Sequence, residues 1–180
     1  GKYFAKITID KDSVLYPFEL MADPNYKVST ADLKAQEQFL LEVSASFNTI
    51  MKTLKGIKDI RSQVQVLQKK TKDSSFQKQS ELVLSQLTSI EQALHQTKAK
   101  SGQDVLNFPI RLDDKLSGVF DMANSGNMAP PTQAKEVFAD LAKQVDQAVT
   151  QLQGILDNGI KEFNKVVAES KLPVIVIAEK

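Results

Sequence analysis

The sequence contains no cysteine and no tryptophan, and His95 is the single histidine among its 180 residues. Without cysteine there are no disulfides, thiol nucleophiles or cysteine-ligated metals. One histidine excludes histidine-rich metal sites, so any histidine chemistry depends on one side chain. The chain also lacks an excess of either charge, with 23 basic and 22 acidic residues. This balance argues against nucleic acid as a partner.

Long hydrophobic runs are missing as well. The longest, at residues 174–178, is far shorter than the roughly 20 residues that a membrane-spanning helix needs. The phosphate-loop, dinucleotide-binding, zinc-protease and nucleophile-elbow motifs do not occur. We therefore predict no membrane span, no cofactor or metal, and no catalytic residue.

Two short runs rich in aromatic and β-branched residues, at 3–9 and 14–20, flank the turn residues 10–13 and predict a β-hairpin within residues 1–24. Two strands alone are marginally stable in water, so the hairpin needs further cover. The tail at 172–180 is β-branched and follows a proline, which favours a third strand. We expect that tail strand to pack on the hairpin as a three-stranded sheet.

Residues 28–171 predict an antiparallel up-down four-helix bundle, which makes the chain mainly α. Apolar residues recur there at steps of three and four, and Ser29 with Asp32 has the spacing of a capping box. Asn158-Gly159 is expected to bend or briefly break the last helix. The predicted core comprises Phe47, Ile50, Leu54, Leu87, Ile90, Leu116, Leu141, Val145 and Leu152.

Few side chains suggest chemistry. His95 has Glu91 one turn before it, but no motif supplies a nucleophile, so we expect a histidine at the surface or edge. Asp113 and Asp114 point about 100° apart on a helix, which favours stabilisation of the helix dipole over a shared site.

A basic stretch lies at 51–72, where seven lysines and arginines accompany one aspartate. Binding to phosphates or anionic lipid is one interpretation. Pairing with Glu136, Asp140 and Asp146, at the start of an antiparallel fourth helix, is the interpretation that we favour.

The segment 101–116 reads SGQDVLNFPIRLDDKL. It resembles the S-G-x-D-x-L-N-[FY]-P-I-R-L-[DN]-[DN]-K-L segment near the C-terminus of large secreted bacterial proteins with sortilin-like (VPS10) or BNR-repeat β-propellers, often labelled glycosyl hydrolases. The opening Gly1-Lys2-Tyr3, the Ala22-Asp23-Pro24 exit and Pro131-Thr132-Gln133-Ala134 agree with the same family, in the same order.

The resemblance implies that a propeller and an immunoglobulin-like or fibronectin-like β domain precede a closing helical region. Residues 1–24 would then be the end of that β domain, and the start at Gly1 fits a segment of a longer protein. The expected partners are the propeller and the β domain, and the expected location is secreted or periplasmic. No catalytic residue of the family falls on these positions.

The leading hypothesis is therefore a noncatalytic C-terminal accessory domain. Within it, Asn107, Pro109 and Arg111 are expected to fix the entry to the third helix, with Asn107 as its cap and Arg111 bound to a carboxylate or to carbonyl oxygens. The alternative is an independent bundle that binds a small ligand or a helical partner. A buried polar cluster would favour the alternative, and an aliphatic core with one exposed apolar patch would favour docking. The sequence leaves the oligomeric state open.

Overall fold

A computed structural model describes residues 1–25, 27–169 and 173–175 and confirms a mainly α fold with a small β-hairpin. The hairpin consists of β1 and β2, and five helices follow it. A 3₁₀ turn precedes α3, and a π-helical turn joins α4 to α5. The bounds are β1 Lys2–Ile9, β2 Asp12–Glu19, α1 Thr30–Gln68, α2 Ser74–Leu94, the 3₁₀ turn Gly102–Leu106, α3 Leu112–Asn124, α4 Thr132–Gly154, the π turn Ile155–Ile160 and α5 Lys161–Glu169.

The α1 helix begins at the predicted capping box. The Asp32 N–H donates to the Ser29 hydroxyl at 3.0 Å, and the Ser29 N–H donates to the Asp32 carboxylate at 3.2 Å. The Ser29 hydroxyl also donates to the Asp32 carboxylate at 2.6 Å, and the bonds that the carboxylate accepts from the Ser29 hydroxyl and N–H hold the pKa of Asp32 below its ordinary value. The helix then continues for 39 residues, about 58 Å at 1.5 Å per residue.

The helices run as three rods side by side. The Gln36 amide, near the start of α1, donates to the carbonyls of Ala123 and Gly126 at the end of α3. The α3 helix is therefore antiparallel to α1 and follows α2 in the same direction. Phe39 and Phe138 meet edge to face at 5.5 Å near the starts of α1 and α4, which makes these two helices parallel.

One hydrophobic core runs along all three rods. Seven of the nine predicted core residues are buried, while Phe47 and Leu54 are half-buried and pack against the core. Phe76 at the start of α2 packs on Phe163 of α5, with ring centres 5.2 Å apart. The α4–α5 rod thus reaches the C-terminal end of α1. Its wide π-helical turn contains Asn158 and Gly159, where the sequence predicted a bend or break.

The tail does not form the expected strand over its described residues, 173–175. Ile175 is buried in the bundle core, 5% exposed. Its N–H donates to the Asn164 side chain of α5 at 2.8 Å, and its carbonyl accepts from the same amide at 3.2 Å. Packing against the hydrophobic core of the bundle gives Ile175 the burial that a sheet was expected to supply. Residues 170–172 and 176–180 lie outside the described residues.

The core should be sensitive to truncation at Leu87, which is fully buried. Leu87→Ala is expected to lower the free energy of unfolding by about 2 to 5 kcal/mol, because it removes buried methyl groups and leaves a cavity. Urea unfolding followed by circular dichroism measures this change. Leu82→Ala on the same helix is the control, since Leu82 is 50% exposed. Equal effects of the two substitutions would contradict the placement of the core.

The tail should stabilise the bundle. Ile175→Ala is expected to lower the free energy of unfolding of the helices by about 2 to 5 kcal/mol, because a buried isoleucine loses most of its side chain. Val174→Ala is the neighbouring control, since Val174 is 53% exposed. An unchanged helical melt for Ile175→Ala would show that the tail does not pack on the bundle in solution.

Candidate functional site

The polar residues singled out in the sequence meet where α2 ends and α3 begins, a region called here the α2–α3 junction, residues 95–113. His95 ends α2, and Asp113 lies in the first turn of α3. The His95 Nδ1 and an Asp113 carboxylate oxygen are 2.5 Å apart. The Asp113 side chain is 8% exposed and that of His95 is 49% exposed, so a buried carboxylate orients a surface imidazole.

Sequence reasoning missed this pair, although it placed His95 at a surface or edge. The two residues are 18 positions apart, and only the packing of α3 below α2 brings them together. The other oxygen of Asp113 accepts from the N–H of Asp114 at 2.9 Å. Glu91, the expected neighbour of His95, instead pairs with Arg61 of α1 at 2.7 Å.

The predicted role of Asn107 as cap of the third helix is wrong. Asn107 ends the 3₁₀ turn, its N–H donates to the Asp104 carbonyl at 2.9 Å, and α3 begins five residues later, at Leu112. Pro109 contributes through its carbonyl, which accepts from the buried Gln96 side chain at 2.8 Å. The residue before a proline avoids helical angles, which explains the delayed start.

Arg111 occupies the position before α3 and makes no side-chain cap. Its Nε is buried without a hydrogen-bond partner among the described residues, so the expected partner is not found at that atom.

Asp104 accepts from the N–H groups of Lys100 and Ser101 at 2.5 and 3.0 Å, and these bonds hold the pKa of its carboxyl below 3.8. The stabilisation from these bonds is present above pH 3.8 and is lost as the pH falls through the lowered value.

The polar side chains of the α2–α3 junction therefore hold the end of α2 and the start of α3 together. An oriented histidine could act as a base only with a substrate and a nucleophile held beside its free nitrogen. Across residues 1–25, 27–169 and 173–175, no three His, Asp or Glu side chains are placed to hold a metal ion. Within those same ranges, no helix is both long and apolar enough to cross a membrane.

The basic stretch at 51–72 does not face the acidic start of α4. Because α4 runs parallel to α1, its first turns lie beside the N-terminal part of α1, as the Phe39–Phe138 contact shows. The expectation that Glu136, Asp140 and Asp146 neutralise this stretch is therefore wrong. The ion pair observed within the stretch joins Arg61 to Glu91 of α2, and Arg61 also donates to Thr88.

The β-hairpin has one apolar side. In the register Lys2↔Glu19 to Ile9↔Asp12, side chains alternate between the two faces. One face, called here the apolar hairpin face, carries Tyr3, Ala5, Ile7, Ile9, Val14, Tyr16 and Phe18, with Asp12 at its turn end opposite Ile9. The opposite face mixes Lys2, Phe4, Lys6, Thr8, Ser13, Leu15, Pro17 and Glu19.

The apolar hairpin face is uncovered. Every residue of β1 and β2 is exposed, including Ile7 at 52% and Tyr16 at 65%. Neither strand contacts a helix in the described part of the chain. Tyr3 and Phe18 stack on each other at 5.8 Å, so the face is organised although nothing packs on it.

A second apolar surface lies on the bundle. A shallow groove of about 330 Å³ runs between α1 and α3 and is lined by Leu33, Leu40, Leu41 and Phe120, with Gln36, Glu37 and Ser44 around them. Among the polar residues around the groove, Gln36 already donates its side-chain amide to two carbonyls at the end of α3.

Comparison of the chain with protein-family models, curated proteins and solved structures gives no significant match.

Asp113, whose carboxylate is buried, should contribute more to the free energy of unfolding than its exposed neighbour Asp114. Asp113→Ala is expected to cost about 1 to 3 kcal/mol of unfolding free energy, because it removes the partner of His95 and of a backbone N–H. Asp114→Ala, at an exposed position of the same turn, should cost about 0.5 kcal/mol through the helix dipole. Urea melts at neutral pH measure both, and similar losses would argue against a structural pair.

Proposed function

We propose that this chain is a noncatalytic accessory module of a larger secreted or periplasmic propeller protein, and that it docks through its N-terminal hairpin. The observation that carries the proposal is the apolar hairpin face, which is exposed on a two-stranded sheet without helical contacts. A contiguous exposed apolar patch of this kind typically marks an interaction surface.

The energetics of the hairpin support docking. Two strands without a packed face are marginal in water, because few apolar contacts offset the entropy of ordering the chain. Covering the aromatic and β-branched side chains of the face removes them from water at about 25 cal/mol per Å². A β domain suits this task, since a second sheet packs on such a face along its whole length.

The bundle supports the noncatalytic part of the proposal. Its core is a continuous set of aliphatic and aromatic residues, and its buried polar groups serve the helices themselves. Ser80 donates to the carbonyl of Phe76, and Thr53 donates to that of Thr49. Gln36 closes the end of α3, and Gln96 holds Pro109. These four buried side chains hydrogen-bond to the backbone and do not gather around a binding cavity.

The resemblance of segment 101–116 supports the identity of the partners. It implies a preceding propeller and an immunoglobulin-like or fibronectin-like β domain, of which the hairpin would form the last two strands. The secreted or periplasmic location of the proposed parent comes from the same resemblance.

The groove between α1 and α3 favours a second candidate, an independent bundle that binds a small ligand or a helical partner. Its lining of Leu33, Leu40, Leu41 and Phe120 would suit the apolar side of an amphipathic helix. The two candidates differ in the surface used, because docking engages the hairpin and the alternative engages the groove.

Hydrogen exchange measured by mass spectrometry tests the proposal. The 180-residue chain is compared with the protein encoded when its reading frame is extended upstream of Gly1. Amides of β2, residues 12–19, should exchange quickly in the isolated chain and more slowly, by roughly tenfold or more, in the longer protein. Amides near Leu87 are the internal control and should exchange equally in both.

Equal exchange of the hairpin in both proteins would contradict docking through the hairpin. New protection around Leu40 and Phe120 instead would favour the groove. Turnover of any glycoside by the purified 180-residue chain would refute the noncatalytic assignment.

A further inference from the structure

The two outer edges of the hairpin differ in their hydrogen-bonding capacity. Gly1 and Leu20 exchange backbone hydrogen bonds, with the Leu20 N–H donating to the Gly1 carbonyl at 2.9 Å. Because hydrogen-bonded and non-bonded pairs alternate along an antiparallel ladder, every second pair turns its backbone groups outward. These outward pairs are Lys2–Glu19, Phe4–Pro17, Lys6–Leu15 and Thr8–Ser13.

Pro17 therefore interrupts the outer edge of β2, since proline has no N–H to donate. The outer edge of β1 carries a complete row of donors and acceptors at Lys2, Phe4, Lys6 and Thr8. A complete edge is a template for another strand, whereas a proline protects an edge from pairing.

We propose that β1 pairs antiparallel with β1 of a second copy of this chain, about a twofold axis at Ala5. The product is a four-stranded sheet in the order β2–β1–β1–β2. This inference goes beyond the docking function, because it uses the edge of β1 and leaves the apolar hairpin face free.

Charge and side-chain size select the register. A pairing centred on Phe4 would place Lys2 opposite Lys6, and one centred on Lys6 would place that lysine opposite itself, and like charges directly opposite destabilise a sheet. The pairing centred on Ala5 avoids both contacts. It also engages all four outward positions of β1 and places Lys6 opposite the ring of Phe4.

The apolar hairpin face agrees with this register. Tyr3 of one copy lies opposite Ile7 of the other, an aromatic and β-branched pair of the kind that stabilises antiparallel sheets. Ala5 faces its own copy at the axis, where its small side chain permits close approach.

Pro17 also explains why the assembly would stop at two copies. Each hairpin has one open edge, and pairing consumes it in both partners. The remaining edges of the four-stranded sheet are the two β2 strands, each interrupted by proline. A second copy satisfies this geometry with a closed dimer, and it raises the strand count above the marginal two.

Proline substitution distinguishes the two edges. Lys6 and Leu15 lie directly opposite each other, and both turn their backbone groups outward. Lys6→Pro should raise the dimer dissociation constant by roughly tenfold or more, because two symmetric hydrogen bonds are lost. Leu15→Pro, the matched control, should leave it unchanged. Sedimentation equilibrium over a concentration series of the full chain measures both.

Cysteine cross-linking tests the register, and the chain has no cysteine of its own. In the Ala5-centred pairing the two Ala5 Cα atoms are about 4.5 Å apart, within the range for a disulfide. Ala5→Cys should therefore form a disulfide-linked dimer under mild oxidation. Ile9→Cys, on the same face, should stay largely monomeric because it lies opposite Gly1 of the other copy.

Several outcomes would overturn the inference. A chain that stays monomeric at its highest soluble concentration has no such dimer. Equal loss of association in Lys6→Pro and Leu15→Pro, or association without Ala5→Cys cross-linking, would show contact through the apolar hairpin face instead. Efficient cross-linking of Phe4→Cys or Lys6→Cys in place of Ala5→Cys would refute the register. None of these results touches the docking function, which the exchange experiment tests separately.

Discussion

The length of α1 is the constraint on which the rest of the bundle depends. At 39 residues it is longer than any helix that packs on it, so α2 and α3 share the second rod end to end. The chain must therefore leave one helix and begin another halfway along the bundle. Polar side chains at the α2–α3 junction bridge this interruption of the helix. Asp113 contacts His95, and the Gln96 amide donates to the Pro109 carbonyl. The contact between His95 and Asp113 is therefore a consequence of helix length.

Local features were predictable because their causes are local. The Ser29 cap, the apolar stripes, the hairpin and the interruption near Gly159 each follow from a few neighbouring residues. The relative direction of the helices was not predictable, because an apolar stripe packs equally well on a parallel or an antiparallel neighbour. Ile175 shows the same limit, since a β-branched residue suits both a strand and a crevice between helices. The His95–Asp113 pair had no sequence signal at all, as it forms only once the two helices are stacked.

The chain combines a part that is stable by its own packing with a part that is not. Each long helix buries one face in a shared core, whereas the hairpin buries neither face against the helices. Such a division suits a module whose bundle folds first and whose hairpin is completed by another surface. A charge balance near zero agrees with recognition by shape and apolar contact more than by long-range attraction.

Edge pairing and face docking are compatible because they use different surfaces of the same two strands. A twofold axis perpendicular to the sheet keeps the apolar hairpin faces of both copies on one side. The four-stranded sheet would then present twice the apolar area, in one continuous surface, to the β domains that we propose as its partners. Pro17 contributes to both arrangements, since it closes the outer edge without interrupting the ladder between β1 and β2. Pro17 thus protects the outer edge of β2, while the apolar hairpin face and the outer edge of β1 stay available for contacts.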